Sequence, residues 1–192
     1  MPAPETLLIL VRHSQPEIDP RLPAAQWPLS AAGRERCQPL ARALSAYPLH
    51  AVISSHEPKA IQTARLVAAA LNLPASQAPG LHEHERPAAG LTNQEEFQAA
   101  VACLFAHPGQ LVMGAETADQ ARQRFTQAVH ALLAAHPGQN LAVVAHGTVI
   151  SLFVAHACRL DPFPLWQSLT LPCFIPLTQP SLTLLSPPHL IP

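Results

Sequence analysis

Two apolar runs, each ending on a histidine, constrain this chain more than any other feature. Leu7, Leu8, Ile9, Leu10 and Val11 lead straight into Arg12, His13 and Ser14. Leu141, Ala142, Val143, Val144 and Ala145 lead into His146, Gly147 and Thr148. Unbroken runs of this length suit strands covered on both faces, as in parallel or mixed sheets flanked by helices. Such open sheets place their ligands at the carboxyl ends of strands. A single histidine there is more often a hydrogen-bonded structural residue. The case for a site rests on the pair and on what lies between them.

Between the runs, strand and helix signals alternate. Residues 15–29 carry Pro16, Pro20, Pro23 and Pro28 and read as loop. Ser30 suits the cap of a helix bearing Gly33, Cys37, Leu40, Ala41 and Leu44, with Pro39 expected to kink it or weaken its hydrogen bonding. His50 to Ile53 reads as a second strand, ending at Ser54-Ser55, and Pro58 fits the first turn of the next helix. Residues 74–91 are loop-like. Thr92 with Glu95, and Thr117 with Gln120, have capping-box spacing and predict two more helices. A further helix follows His146, from about Thr148 to Ala157. The tail is broken by proline, and Leu169–Leu171, Phe174–Leu177 and Leu182–Leu185 read as short edge strands. Alternation of this kind predicts one domain over residues 1–192, an α/β three-layer α/β/α sandwich with a mostly parallel central sheet.

Bulk properties narrow the function. The net charge is −1, with 11 basic and 12 acidic residues and no block of one sign. That argues against a nucleic-acid partner, which needs a basic footprint. The four cysteines (Cys37, Cys103, Cys158, Cys173) are far apart and read as small buried hydrophobes in a reducing compartment. No run is long enough for a membrane span or a secretory signal, so a cytoplasmic protein with no membrane partner is expected. Lys59 is the only lysine among 11 basic residues.

The motifs together carry a resemblance. Arg12-His13 after a strand resembles the signature of the histidine phosphatase superfamily, which includes the phosphoglycerate mutases. Pro28-Leu29-Ser30-Ala31-Ala32-Gly33 resembles the family's Pro-Leu-Thr-x-x-Gly helix start. Ser54-Ser55-His56-Glu57-Pro58-Lys59-Ala60-Ile61-Gln62-Thr63-Ala64 resembles its Ser-Ser-x-x-x-Arg-Ala-x-Gln-Thr-Ala segment. Gly114-Ala115-Glu116-Thr117 is similar to its Gly-Glu-Ser with one residue inserted, and Arg124 follows at about the expected spacing. Val144-Ala145-His146-Gly147 matches the second histidine motif. Each match alone is weak; five in family order make a strong pattern.

The resemblance implies a phosphoglycerate mutase-like fold and a phosphatase that needs no cofactor, acting on a small phosphorylated substrate. His13 would be the nucleophile, forming a phosphohistidine. Arg12 would grip phosphate oxygens with its planar fork. His146, Lys59, Ser14 and Gly147 would complete a cationic cup, with Gly147 allowing close backbone approach at a helix start. The acid should lie after Leu81, where the register selects Glu83, with Glu85 and His82 as rivals. His82, Glu83, His84 and Glu85 could suggest a metal site, but their spacing is wrong for zinc and no metal is expected. A serine hydrolase is disfavoured because no G-x-S-x-G occurs.

The chain departs from the family in three places. Ser14 stands where glycine is usual, the usual downstream Asn is not found among Gln15 to Asp19, and Lys59 stands where a second phosphate-binding arginine is usual. Lysine keeps the charge and loses the fork. Two other readings stay open: a phosphoglycerate mutase-type isomerase, and a non-catalytic phosphate-ligand or protein-binding module. The stretch from Pro87 to Ala115 contains no Lys or Arg, which favours the phosphatase. A homodimer is left open, and the sequence does not name the substrate.

Overall fold

The computed structural model describes residues 6–86 and 93–191. The first apolar run forms β1 (Thr6–Arg12), buried from Leu8 to Val11, and the second forms β4 (Leu141–Ala145), buried throughout. They pair in parallel, with Leu8 opposite Leu141 and Arg12 opposite Ala145. Next to β4 lies β2 (Ala51–Ser54), also parallel, and beyond it β3 (Ala75–Gln77). On the other side of β1 run β5 (Cys173–Gln179) and β6 (His189–Leu190), both antiparallel to their neighbours. The sheet order is β3-β2-β4-β1-β5-β6.

Alternate residues of each strand face opposite sides, so one strand feeds two cores. Ile9 and Val11, with Val52, Ala142 and Val144, pack under α1 (Ala31–Leu44) and α2 (Pro58–Leu71). Leu8 and Leu10, with Ile53, Leu141 and Val143, pack under α3 (Gln94–Ala106), α4 (Ala118–Ala135), α5 (Gly147–Cys158) and α6 (Pro162–Ser168). Helices on both faces of a central, mostly parallel sheet make the expected three-layer sandwich. Among the described residues no helix is long and apolar enough to cross a membrane.

Local signals work as their chemistry requires. Ser30 accepts a hydrogen bond from Gly33 N at the start of α1, and Thr117 and Gln120 form a reciprocal capping box on α4. α1 runs unbroken through Pro39. The cap of α3 is Asn93, whose side chain accepts from Glu96 N at 2.8 Å; Thr92 lies outside the described residues.

Several expectations need correction. Ala75–Gln77 is a strand, although it sits in a stretch that reads as loop. The tail holds a helix, α6, started by Asp161 as cap and Pro162 in its first turn. Leu169–Leu171 is not a strand, and Leu182–Leu185 contributes one isolated bridge, from Leu184 to Leu177. Phe174–Leu177 belongs to β5, which is no edge strand, because β1 and β6 flank it. Pro176 is tolerated there because its carbonyl accepts from Leu185 N. Its missing N–H lies on that same side, away from the β1 ladder.

Phe125 of α4 is fully buried and meets Phe153 of α5 edge to face, ring centroids 5.6 Å apart. Phe125→Ala should therefore lower stability by about 3–5 kcal/mol. Urea unfolding midpoints at constant m-value check this.

Candidate active site

The parallel register brings the ends of β1, β2 and β4 together. His13 N donates to Ala145 O at 3.0 Å and Ser55 N donates to Val144 O at 3.0 Å. The rings of His13 and His146 lie side by side with centroids 5.1 Å apart. His13 is 6% exposed. Its Nδ1 lies 2.7 Å from Ser14 O, and a carbonyl can only accept, so Nδ1 carries the ring proton. Nε2 is left with its lone pair. Burial, and then the neighbouring His146 and Lys59, hold His13 well below the usual histidine range. The ring is neutral near pH 7.

Around His146 the structure shows a carboxylate the sequence motifs left without a role. His146 Nε2 is 2.7 Å from Ser55 Oγ and 3.3 Å from Glu57 Oε1. Glu57 Oε1 also accepts from Glu83 N at 2.8 Å, and Oε2 accepts from Lys59 Nζ at 2.5 Å. Lys59 and Glu57 are both nearly fully buried, and Lys59 Nζ donates a second bond to Ala24 O at 2.6 Å. Burial brings the His146 pKa down to about 3, with Glu83 opposing that fall and Lys59 and Arg86 adding to it. His146 is therefore neutral near pH 7. Its Nδ1 has no hydrogen-bond partner among the described residues.

Glu83 reaches the start of α5. His146, the N-cap of that helix, makes no side-chain cap. Glu83 takes that place from a distant loop, accepting from Thr148 N at 3.2 Å and Val149 N at 3.3 Å. Arg86 lies 3.4 Å from Glu83 Oε2, donates to Thr148 Oγ1 and covers the face of the Phe97 ring at 4.8 Å. Burial alone would raise the Glu83 pKa. Arg86, His146 and two backbone N–H donors outweigh it and hold the carboxyl well below the usual range. Near neutral pH Glu83 is an anion on a helix terminus.

The loop that carries Glu83 is clamped from behind. Arg124 donates to Gly80 O, His82 O and Glu83 O, and pairs with both oxygens of Glu116. Glu116 Oε1 accepts from Glu85 N, and Glu116 O is 2.8 Å from His84 Nε2. Gly114 has φ +85°, and a Cβ there would lie 1.8 Å from Glu85 O.

Comparison with known proteins decides what this arrangement is. The sequence model of the histidine phosphatase superfamily (branch 1) matches residues 8–174. The chain belongs to the histidine phosphatase superfamily. Its fold is similar to that of mycobacterial glucosyl-3-phosphoglycerate phosphatase, at TM-score 0.73 and 22% identity over 91% of each chain. Bacillus stearothermophilus YhfR matches at TM-score 0.70 and 23% identity, over 93% of this chain and 94% of that one. The α-ribazole phosphatase of Shigella flexneri matches at TM-score 0.68 and 23% identity, over 90% of each chain. No curated protein sequence matches the chain.

Against the superfamily motifs, the structure gathers Arg12, His13, Lys59, Glu83, His146 and Gly147 at one place. Arg12 Nη1 donates to Leu169 O, and its Nε has no partner among the described residues. Gly147 is needed where Arg12 crosses it, since a Cβ there would lie 3.0 Å from Arg12 Nε and 3.1 Å from Cζ. Ser14 is wholly buried, and its contact with the site is the carbonyl that fixes His13. The rivals to Glu83 pair with each other, His82 Nε2 lying 3.5 Å from Glu85 Oε1, and Glu85 is exposed. No group of three or more His, Cys, Asp or Glu among the described residues is arranged to hold a metal ion.

Two site residues escaped the sequence reading. Glu57 stands at a variable position inside the Ser54–Ala64 motif. Arg86 stands one residue before the Lys- and Arg-free stretch from Pro87 to Ala115. Arg86 had one available signal, an arginine directly after an acid loop.

Both buried histidines are neutral in the fold and take up protons near pH 6.5 when unfolded. Stability is therefore complete above pH 6.5 and falls as pH drops below it, toward about 3 for His146. Each should cost roughly 1 kcal/mol per pH unit in that window. Urea unfolding at pH 7.5 and 5 should show the loss, and His146→Gln should show less of it than the parent chain.

Proposed function

We propose that this chain is a phosphomonoesterase that passes the phosphoryl group of a small phosphorylated metabolite to His13 and then to water. The observation that carries the reading is the Nδ1–H of His13 held on Ser14 O, leaving a bare Nε2 beside Arg12 in a dry, cation-lined cup. In the first step the Nε2 lone pair attacks phosphorus and the bond to the bridging oxygen breaks. Arg12, Lys59 and Arg86 offset charge spreading over the phosphoryl oxygens.

Glu83 protonates the departing oxygen. An alkoxide is a poor leaving group, and a positioned acid typically contributes about 10²–10⁴-fold. An incoming phosphate dianion repels the Glu83 carboxylate and engages the cations that hold its pKa down, so substrate binding itself loads the proton. In the second step Glu83, now ionised, takes a proton from water as that water attacks the phosphohistidine. Inorganic phosphate leaves and His13 is restored.

The ion pair of Lys59 with Glu57 supports a modest role for Lys59 as a point charge. The cup holds three cations, Arg12, Lys59 and Arg86, against two carboxylates, Glu57 and Glu83. One net positive charge faces the substrate. A mutase would need further cations for a second anionic group, and Arg86 is already engaged with Glu83 and Thr148.

His13→Ala should abolish both turnover and acid-labile labelling by substrate, while circular dichroism stays unchanged; retained turnover removes His13 from this role. Glu83→Gln should slow alkyl phosphates far more than p-nitrophenyl phosphate, whose leaving group scarcely needs a proton.

Lys59→Ala takes the ammonium from Glu57 Oε2 and should weaken phosphate inhibition by roughly 1.5–3 kcal/mol, about tenfold or more. Adding Glu57→Gln to that variant should recover part of the loss, measured as the inhibition constant for inorganic phosphate. If neither substitution moves that constant, the chain does not use this cup for phosphate.

A further inference from the structure

Arg12 has a second environment. Its guanidinium lines a cavity of about 320 Å³ whose walls are Gln94, Phe97 and Gln98 of α3 and Trp166 and Gln167 of α6, closed by Leu169. That volume accepts a ring-sized group. The cavity is fixed to the cup at two points. On one side the Leu169 carbonyl accepts from Arg12 Nη1. On the other, Glu83 pairs with Arg86, which covers the face of Phe97. Arg86 thus links the Glu83 carboxylate to the Phe97 wall.

The walls have one chemical character. Phe97 meets Trp166 at 5.8 Å between ring centroids, and Trp166 stacks on Phe163 at 6.1 Å, which holds the aromatic surface in place. Three glutamine amides offer donors and acceptors without charge. Among the described residues of the lining Arg12 alone is charged, and in the phosphatase reading it serves the phosphate. The first turn of α3 carries Glu95 and Glu96, the wrong sign for an anionic group.

We infer that this cavity is the leaving-group subsite and selects a neutral, ring-bearing alcohol. The ring packs on Phe97 and Trp166, and its polar substituents meet the amides of Gln94, Gln98 and Gln167. The inference rests on the phosphatase reading of the cup.

Phosphonates, with CH2 in place of the bridging oxygen, test it without turnover. Calorimetry on the full chain should show benzylphosphonate binding about tenfold tighter than ethylphosphonate. 3-Phosphonopropionate, which carries a carboxylate, should bind no tighter than ethylphosphonate. Phe97→Ala should bring the benzyl-to-ethyl ratio close to one. Gln98→Lys, at a half-buried position that tolerates a longer side chain, should tighten 3-phosphonopropionate severalfold. Equal binding of all three by the parent chain, preference for the carboxylate, or a benzyl preference that survives Phe97→Ala overturns the inference. Absence of all phosphonate binding overturns it together with the cup. Benzyl selectivity in a chain that hydrolyses no phosphomonoester keeps the subsite and removes the phosphatase.

Discussion

The register of β1 against β4 decides whether this chain has a site at all. Arg12 lies opposite Ala145, so the two histidines leave the sheet at the same height and their rings meet. A slip of one residue would turn Ile9 and Val11 to the face now served by Leu8 and Leu10, exchanging the two cores. Because both faces are buried under helices, such a slip is opposed by every strand residue at once. The geometry of the site is thus inherited from hydrophobic packing, and the polar residues add little to its placement.

The second layer of organisation is electrostatic. Glu83 caps α5 from outside its own segment, and Arg124 with Glu116 fixes the loop that brings it there. Glu57 joins three parts of the cup by bonding Lys59, His146 and the backbone of Glu83. These carboxylates satisfy buried cations and helix donors. The cup is consequently held in shape by ion pairs and hydrogen bonds among its own residues.

The sequence made the frame legible where its signals were local. An apolar run followed by Arg12-His13 or His146-Gly147 needs no knowledge of distant residues, and neither do the caps Ser30 and Thr117. The strands β3 and β6, of 3 and 2 residues, are too short to show a period. β5 was legible only in part, as an edge strand over Phe174–Leu177, because the placement of Pro176 depends on Leu185 approaching from one side. The prolines at 162 and 164 read as breakers, although Pro162 starts α6 where no N–H is needed. In the site, Glu57 was invisible for a different reason. Its meaning comes from His146 and Glu83, which only the folded chain brings to it.

The wall of Phe97 and Trp166 belongs to α3 and α6, and neither helix contributes a nucleophile, acid or phosphate cation to the cup. The aromatic wall and the histidine cup thus stand on separable pieces of the polypeptide. Side chains along one face of α3 can be exchanged while the residues at the ends of β1, β2 and β4 stay as they are.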